Sequence, residues 1–113
     1  TAENTSDRPI RILEIDLKGA PVGPLPATTL DPPTVDPGHY QIALENEFVR
    51  VLRVHLGPGE KSARHEHILN RVVLYLNDQP NAKADDVRMS GAATHIEANE
   101  STQTAYRIAV ELK

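Results

Sequence analysis

The sequence predicts an all-β fold, a sandwich or a small barrel, on two observations. Strand-like runs follow one another from Tyr40 to the end of the chain, and helical periodicity is weak throughout. Nine prolines in 113 residues also disfavour a helical bundle, because proline is tolerated mainly in turns and at sheet edges. The length allows one domain with one modest core, and with four aromatic residues that core must be mostly aliphatic.

The N-terminal third differs from the rest of the chain. Residues 1–8 are polar and predict a mobile leader, whereas RPIRILEIDL at residues 8–17 alternates and predicts a strand. Six prolines then lie between Gly19 and Gly38, which predicts an extended arm without regular structure. We therefore divide the chain into residues 1–38, with leader, strand and Pro-rich arm, and a β-barrel domain at residues 39–113. The arm needs a surface to cover, so we predict a homodimer in which residues 9–38 pack across the neighbour.

Six further runs predict the other strands: YQIALEN, FVRVLRVHL, RVVLYLN, VRMSG, THIEAN and TAYRIAVELK. The last run is the clearest because its apolar and charged residues alternate. That pattern predicts a half-buried antiparallel strand. One face carries Tyr106, Ile108, Val110 and Leu112, and the other carries Arg107 and Glu111.

Charge and composition exclude several classes of function. The formal net charge of −4 disfavours nucleic acid as a partner, because phosphate binding needs a basic face. The apolar runs are too short for a membrane span. The chain has no cysteine, so any metal site must be built from His, Glu, Asp and Asn. A chain without cysteine fits a cytoplasmic protein as well as one exported after signal removal, so the compartment stays open.

Three of the five histidines form a candidate metal site. His65 and His67 are two residues apart, so on a strand their imidazoles point the same way. His95 lies on another predicted strand and can approach the pair from the opposite wall of a barrel. Three imidazoles are a suitable core for a divalent Zn, Fe, Mn or Ni ion with open positions for water or substrate. His39 and His55 fit ordinary surface or hydrogen-bonded histidines.

The stretches PGEKSARHEH, ILNRVVLYLND and GAATHIEANES, with the terminal IAVELK, resemble a small single-domain bacterial cupin. Gly59, His65 and His67 match the first cupin motif, and His95 and Asn99 match the second. The resemblance covers about residues 40–113. It implies a double-stranded β-helix, frequently dimeric, whose mouth holds a metal on three histidines and one glutamate.

The chain departs from both motifs. Arg71 stands at the position of the family's glutamate, and Asp78 replaces the closing glycine of the first motif. Ser90 and Ala92 replace the proline and glycine of the second motif. The two motifs are also separated by only a few residues, which predicts a barrel that lacks part of one wall. Such a barrel has either a wider mouth or a sheet edge that the partner chain of the homodimer covers.

Arg71 leaves three interpretations open. On a regular strand it shares the pocket face with Val73 and Tyr75, and a guanidinium about 6 Å from a divalent ion costs about 5 kcal/mol at an effective dielectric constant of about 20. Arg71 can turn away or pair with Glu97 or Glu66, which leaves a three-histidine metal site. Alternatively, an acidic substrate binds the metal and Arg71 together. In the third interpretation no metal binds, and the histidines, Arg71 and Tyr75 form an anion pocket.

Glu97 follows His95 by two residues and would share its face, as a fourth ligand or a general base. We favour the interpretation of Glu97 as a solvated strand-end glutamate. The sequence thus predicts a small-molecule pocket with a divalent metal on His65, His67 and His95 and with Arg71 and Tyr75 toward the substrate. By analogy of fold, an enzyme of this kind would be an oxygenase, isomerase or lyase acting on a small acid or sugar derivative. A metal-free anion-binding module and a non-catalytic oligomeric barrel are the alternatives, and no residue is assigned a catalytic role.

Overall fold

The structure, a computed structural model, describes residues 3–19 and 27–113, and the described residues form seven strands and one helical turn. In chain order these are α1 (Pro32–Val35), β1 (Tyr40–Glu45), β2 (Val49–Leu56), β3 (His65–His67), β4 (Arg71–Tyr75), β5 (Val87–Ser90), β6 (Ala93–His95) and β7 (Ala105–Leu112). The prediction of an all-β fold is confirmed. Among the described residues no helix has the length and apolar character needed to span a membrane.

The strands form two antiparallel sheets that share one cavity. The larger sheet has the order β1-β2-β7-β4-β5, and the smaller sheet pairs β3 with β6. The buried core on the larger sheet is Tyr40, Leu52, Val54 and Ala109. Apart from one tyrosine this core is aliphatic, as the shortage of aromatic residues predicts.

The inward face of β7 is its charged face, which corrects the expectation drawn from alternation. Arg107 and Ala109 line the cavity, and Glu111 on the same face has no exposed surface. Tyr106 points the other way and is 49% exposed. A sheet that encloses a polar cavity directs polar side chains inward, so apolar alternation alone does not identify the buried face.

The strand predicted for residues 8–17 is wrong. Residues 9–18 have no regular secondary structure, and Ile10, Ile12 and Leu17 are all exposed. A strand is stable only where a neighbour takes up its backbone hydrogen bonds, and these residues form no ladder with the described part of the barrel. Alternation of apolar and polar residues is therefore not sufficient to predict a strand in this segment.

Part of the predicted Pro-rich arm packs on its own barrel. Residues 20–26 lie outside the described residues, but Pro32–Val35 form a helical turn that begins with proline, where the missing N–H costs nothing. The Glu66 N–H donates to the Leu30 carbonyl over 2.8 Å, and the Ala63 N–H donates to Asp36 over 2.9 Å. Residues 28–36 thus correct the expectation of an arm without regular structure. The homodimer, and the packing of residues 9–38 across the neighbour, stay predictions.

Asp36 and His39 join the end of the helical turn to the start of β1. His39 Nδ1 lies 2.9 Å from Asp36 Oδ2, and this hydrogen bond raises the pKa of His39 above its ordinary value of 6.5. A raised pKa means that protonated His39 stabilises the folded state at pH below about 6.5, and that this contribution is lost as pH rises through the pKa of the folded state.

We expect His39→Gln to lower the melting temperature more at pH 5.5 than at pH 9. Differential scanning calorimetry at the two pH values measures the difference. An equal loss at both would show that the imidazole charge contributes nothing and that only packing is lost.

Candidate metal centre

The register of the small sheet brings the three predicted histidines together. His65 lies directly opposite His95 in the β3–β6 ladder, and His67 follows two residues later on the same face. The ring centroids of His65 lie 4.8 Å from His67 and 4.6 Å from His95. The rings of His67 and His95 are 5.0 Å apart, so all three imidazoles surround one point.

Glu97 completes the group, which corrects its interpretation as a solvated glutamate. Its backbone is held against Ser62, whose N–H donates to the Glu97 carbonyl over 2.7 Å and whose hydroxyl accepts from the Glu97 N–H. Glu97 Oε1 then lies 3.2 Å from His95 Nε2 and 3.9 Å from His65 Nε2. One ligand atom from each of the four residues lies within 4.8 Å of the others.

The hydrogen bond of His65 leaves its second ring nitrogen free to bind an ion at this point. His65 Nδ1 donates to the Ala63 carbonyl over 2.9 Å, because a carbonyl only accepts, so the lone pair is on Nε2. Both ring nitrogens of His67 are buried without a hydrogen-bond partner among the described residues, and buried His95 Nε2 has only Glu97 Oε1 nearby, at 3.2 Å. Buried polar atoms without partners are costly, and a metal ion would satisfy them.

The charge states also suit a cation. Burial first, and the charge of Arg71 second, lower the pKa of His67 to about 3, so its imidazole is neutral at pH 7. Burial would raise the pKa of Glu97, but His95 and the guanidinium of Arg107 lower it to about 2, so it is ionised. Neutral imidazoles and a carboxylate are the protonation states in which these side chains bind Zn, Fe, Mn or Ni.

Solved structures identify the fold. No family model and no curated protein matches the chain. A cupin domain from Bordetella pertussis aligns with 66% of this chain and 91% of its own, at a TM-score of 0.59 and 18% identity. A Cupin 2 conserved barrel domain protein from Salinispora arenicola aligns with 88% of this chain and 90% of its own, at a TM-score of 0.52 and 16% identity. The chain has a cupin fold. A protein with a double-stranded β-helix domain from Klebsiella pneumoniae has the same fold. It aligns with 66% of this chain and 77% of its own, at a TM-score of 0.52 and 20% identity.

In this cupin fold Arg71 lies on the inner face but pairs with neither glutamate considered above. Arg71 Nη1 donates to the Gly91 carbonyl over 2.8 Å, and the side chain is buried at the cavity wall. Glu97 pairs with Arg107 instead, and Glu66 points away from the histidines to accept a hydrogen bond from Thr28. The interpretation in which Arg71 pairs with Glu97 or Glu66 is therefore wrong, and its charge stays beside the histidines.

The cavity of the cupin fold has a volume of about 560 Å³ and lies beside the cluster. Tyr75 lines it between two guanidinium groups, with Arg88 at 5.2 Å and Arg107 at 5.3 Å from the ring centroid. Cations over the ring faces hold the tyrosine in place. The predicted pocket residues Arg71 and Tyr75 thus both face the cavity that contains His67 and His95, whereas their role toward a ligand stays a prediction.

Sequence reasoning missed two residues of the site. Arg107 Nη1 lies 2.5 Å from Glu97 Oε2, which leaves Oε1 toward the histidines. The Tyr40 hydroxyl lies 3.4 Å from His65 Nε2, and burial raises the pKa of that hydroxyl. The charged residue in the alternation of the last strand was the available signal for Arg107. For Tyr40 no local pattern gives a signal, because its contact depends on how β1 folds across the cluster.

The remaining predicted residues have structural contacts. His39 contacts Asp36, and His55 lies 6.1 Å from the His39 ring, so neither joins the cluster. The Asn99 amide donates to the Leu56 and Gln103 carbonyls, so this residue of the second motif has a structural role.

Proposed function

We propose that this protein binds one divalent metal ion through His65, His67, His95 and Glu97 and uses it to hold a small organic acid in the cavity. The observation that carries the proposal is the convergence of three imidazoles and a carboxylate, with their ligand atoms within 4.8 Å and buried nitrogens left without partners. The ligand set is unusual for the fold, because the carboxylate comes from the position two residues after His95, whereas Arg71 stands at the family's glutamate position.

Residues around the ligands have distinct roles in this proposal. Ala63 fixes the tautomer of His65 through its carbonyl, and Arg107 fixes one oxygen of Glu97. Such outer contacts orient ligands and tune their basicity. When bound, the ion would act as a Lewis acid that polarises an oxygen of the acid, the chemistry that an isomerase or lyase on this scaffold would need. Arg71 at the cavity wall would hold the negative charge of that acid.

Metal content tests the proposal. We expect protein purified without a histidine tag, stripped and then supplied separately with Zn, Ni, Mn or Fe(II), to retain about one ion per chain for at least one metal. The melting temperature should rise when that metal is bound. A ligand that binds only the folded state stabilises it by about 4 kcal/mol at a concentration a thousandfold above Kd. The double variant His65→Ala, His67→Ala should lose both effects, whereas His55→Ala, an imidazole outside the cluster, should keep them. Absence of metal in the wild type after all four additions would refute the proposal.

Glu97→Gln separates a four-ligand site from a three-histidine site. A lost ligand costs at least as much as a lost outer contact, which is about 10- to 100-fold in metal affinity. Glu100→Gln is the matched control, because Glu100 lines the cavity but does not belong to the cluster. Competition titration with a chelating dye measures both variants. Equal affinity for the wild type and Glu97→Gln would leave the three histidines as the complete ligand set.

A further inference from the structure

The cavity of this acidic protein is lined by an excess of positive charge. The whole chain carries a formal charge of −4, but the cavity wall carries the guanidinium groups of Arg71, Arg88 and Arg107 against the carboxylates of Glu97 and Glu100. The Glu97 carboxylate is already paired with Arg107. A divalent ion in the cluster would add two more positive charges, so the cavity would favour a ligand with more than one negative charge.

Two of the arginines are placed to hold separate groups of one ligand. Arg71 lies opposite Ser90 in the β4–β5 ladder, and Arg88 lies opposite Val73, so the two arginines are diagonal neighbours on the inner face. Diagonal positions in an antiparallel pair are about 7–8 Å apart. Arg71 is buried beside the histidines, whereas the side chain of Arg88 is 47% exposed toward the mouth.

The remaining contacts of these arginines leave capacity for a ligand. Arg71 donates to the Gly91 carbonyl from Nη1, one of three nitrogens in its guanidinium. Arg88 donates from Nη2 to the Asn81 carbonyl and lies 3.7 Å from Asp86, an exposed contact that is worth little in water. A planar guanidinium binds a carboxylate through two parallel hydrogen bonds, which a single carbonyl does not provide.

We propose that the ligand is a short aliphatic dicarboxylic acid, and this inference rests on the proposed function. One carboxylate lies between the metal cluster and Arg71, and the second reaches Arg88 at the mouth. Two long arginine side chains on diagonal positions of one ladder suit acids whose two carboxylates are joined by a short carbon chain, such as succinate and glutarate. Tyr75, fixed between Arg88 and Arg107, forms the wall along which the carbon chain lies.

Isothermal titration of the full chain tests this inference with succinate and glutarate as probes. Each should bind at least about tenfold more tightly than acetate, which has one carboxylate, and than succinamide, which has no charge. Arg88→Gln should reduce succinate affinity at least about tenfold and leave acetate affinity and metal content unchanged. Arg53→Gln is the matched control, because Arg53 is an exposed arginine of β2 outside the cavity lining, and it should change none of these values.

Metal content measured on the same samples separates the two proposals. If the metal is bound but succinate binds no better than acetate, or if inorganic phosphate binds more tightly than either diacid, the dicarboxylate inference is overturned and the metal site stands. If no metal is bound and succinate still depends on Arg71 and Arg88, the acid inference stands and the metal site fails. Arg71→Lys keeps the charge but not the planar pair of donors, so its succinate affinity should also fall.

Discussion

Replacing Arg50 with leucine is expected to lower the free energy of unfolding by about 3–5 kcal/mol. Arg50 Nε lies 2.7 Å from Oε1 of Glu111, which has no exposed surface, and its two Nη atoms bind both oxygens of Asp31 at 2.7 and 2.8 Å. The variant leaves the carboxylate of Glu111 buried, with its second oxygen already lacking a hydrogen-bond partner among the described residues. Chemical denaturation monitored by circular dichroism measures the loss.

Two further variants make the interpretation of Arg50→Leu specific. Arg53→Leu is the same substitution at an exposed position of the same strand and should change stability by no more than about 0.5 kcal/mol. The double variant Arg50→Leu, Glu111→Leu removes both charges and should be more stable than Arg50→Leu alone, since a buried pair is replaced by apolar side chains. If the double variant is instead no more stable than the single variant, the loss of stability comes from the contact of Arg50 with Asp31 and not from the unpaired carboxylate of Glu111.

The part of the fold that local pattern determines was predictable. Alternating β-branched runs predict β2, β4 and β7, and the two-residue spacing of His65 and His67 predicts that their side chains share a face. His95 joins them because the ladder places it opposite His65. To predict that three imidazoles meet on one short strand pair, therefore, the periodicity of the two strands and their correct pairing are enough.

The parts that depend on long-range partners were not predictable from pattern. Glu97 was assigned to solvent because its neighbours in sequence give no reason to bury it, whereas Arg107 from β7 supplies the opposite charge across the cavity. The strand predicted for residues 8–17 is wrong for the converse reason. Their apolar and polar residues do alternate, but the described barrel gives them no strand to pair with. In both cases a contact between distant segments decides the outcome.

Arg71→Gln is expected to raise metal affinity about 10- to 100-fold while it lowers succinate affinity. A guanidinium about 6 Å from a divalent ion costs about 5 kcal/mol at an effective dielectric constant of about 20, and solvent in the cavity reduces this to about 1–3 kcal/mol. The wall position of Arg71 and the effect of its charge on the pKa of His67 place that charge near the cluster. Glutamine is preferable to glutamate here, because Glu111 lies opposite residue 71 in the β4–β7 ladder.

Competition titration with the metal that the wild type retains gives the affinity, at low and at high salt. The gain should shrink as salt rises, because screening weakens the repulsion that the variant removes. Arg53→Gln, which removes an equal charge from outside the cavity lining, should leave metal affinity unchanged. Changes of opposite sign for metal and for succinate in one variant require that the Arg71 guanidinium faces both ligands. A parallel fall in both affinities would mean that Arg71 supports the cavity wall through Gly91, and the acid would then need another anchor.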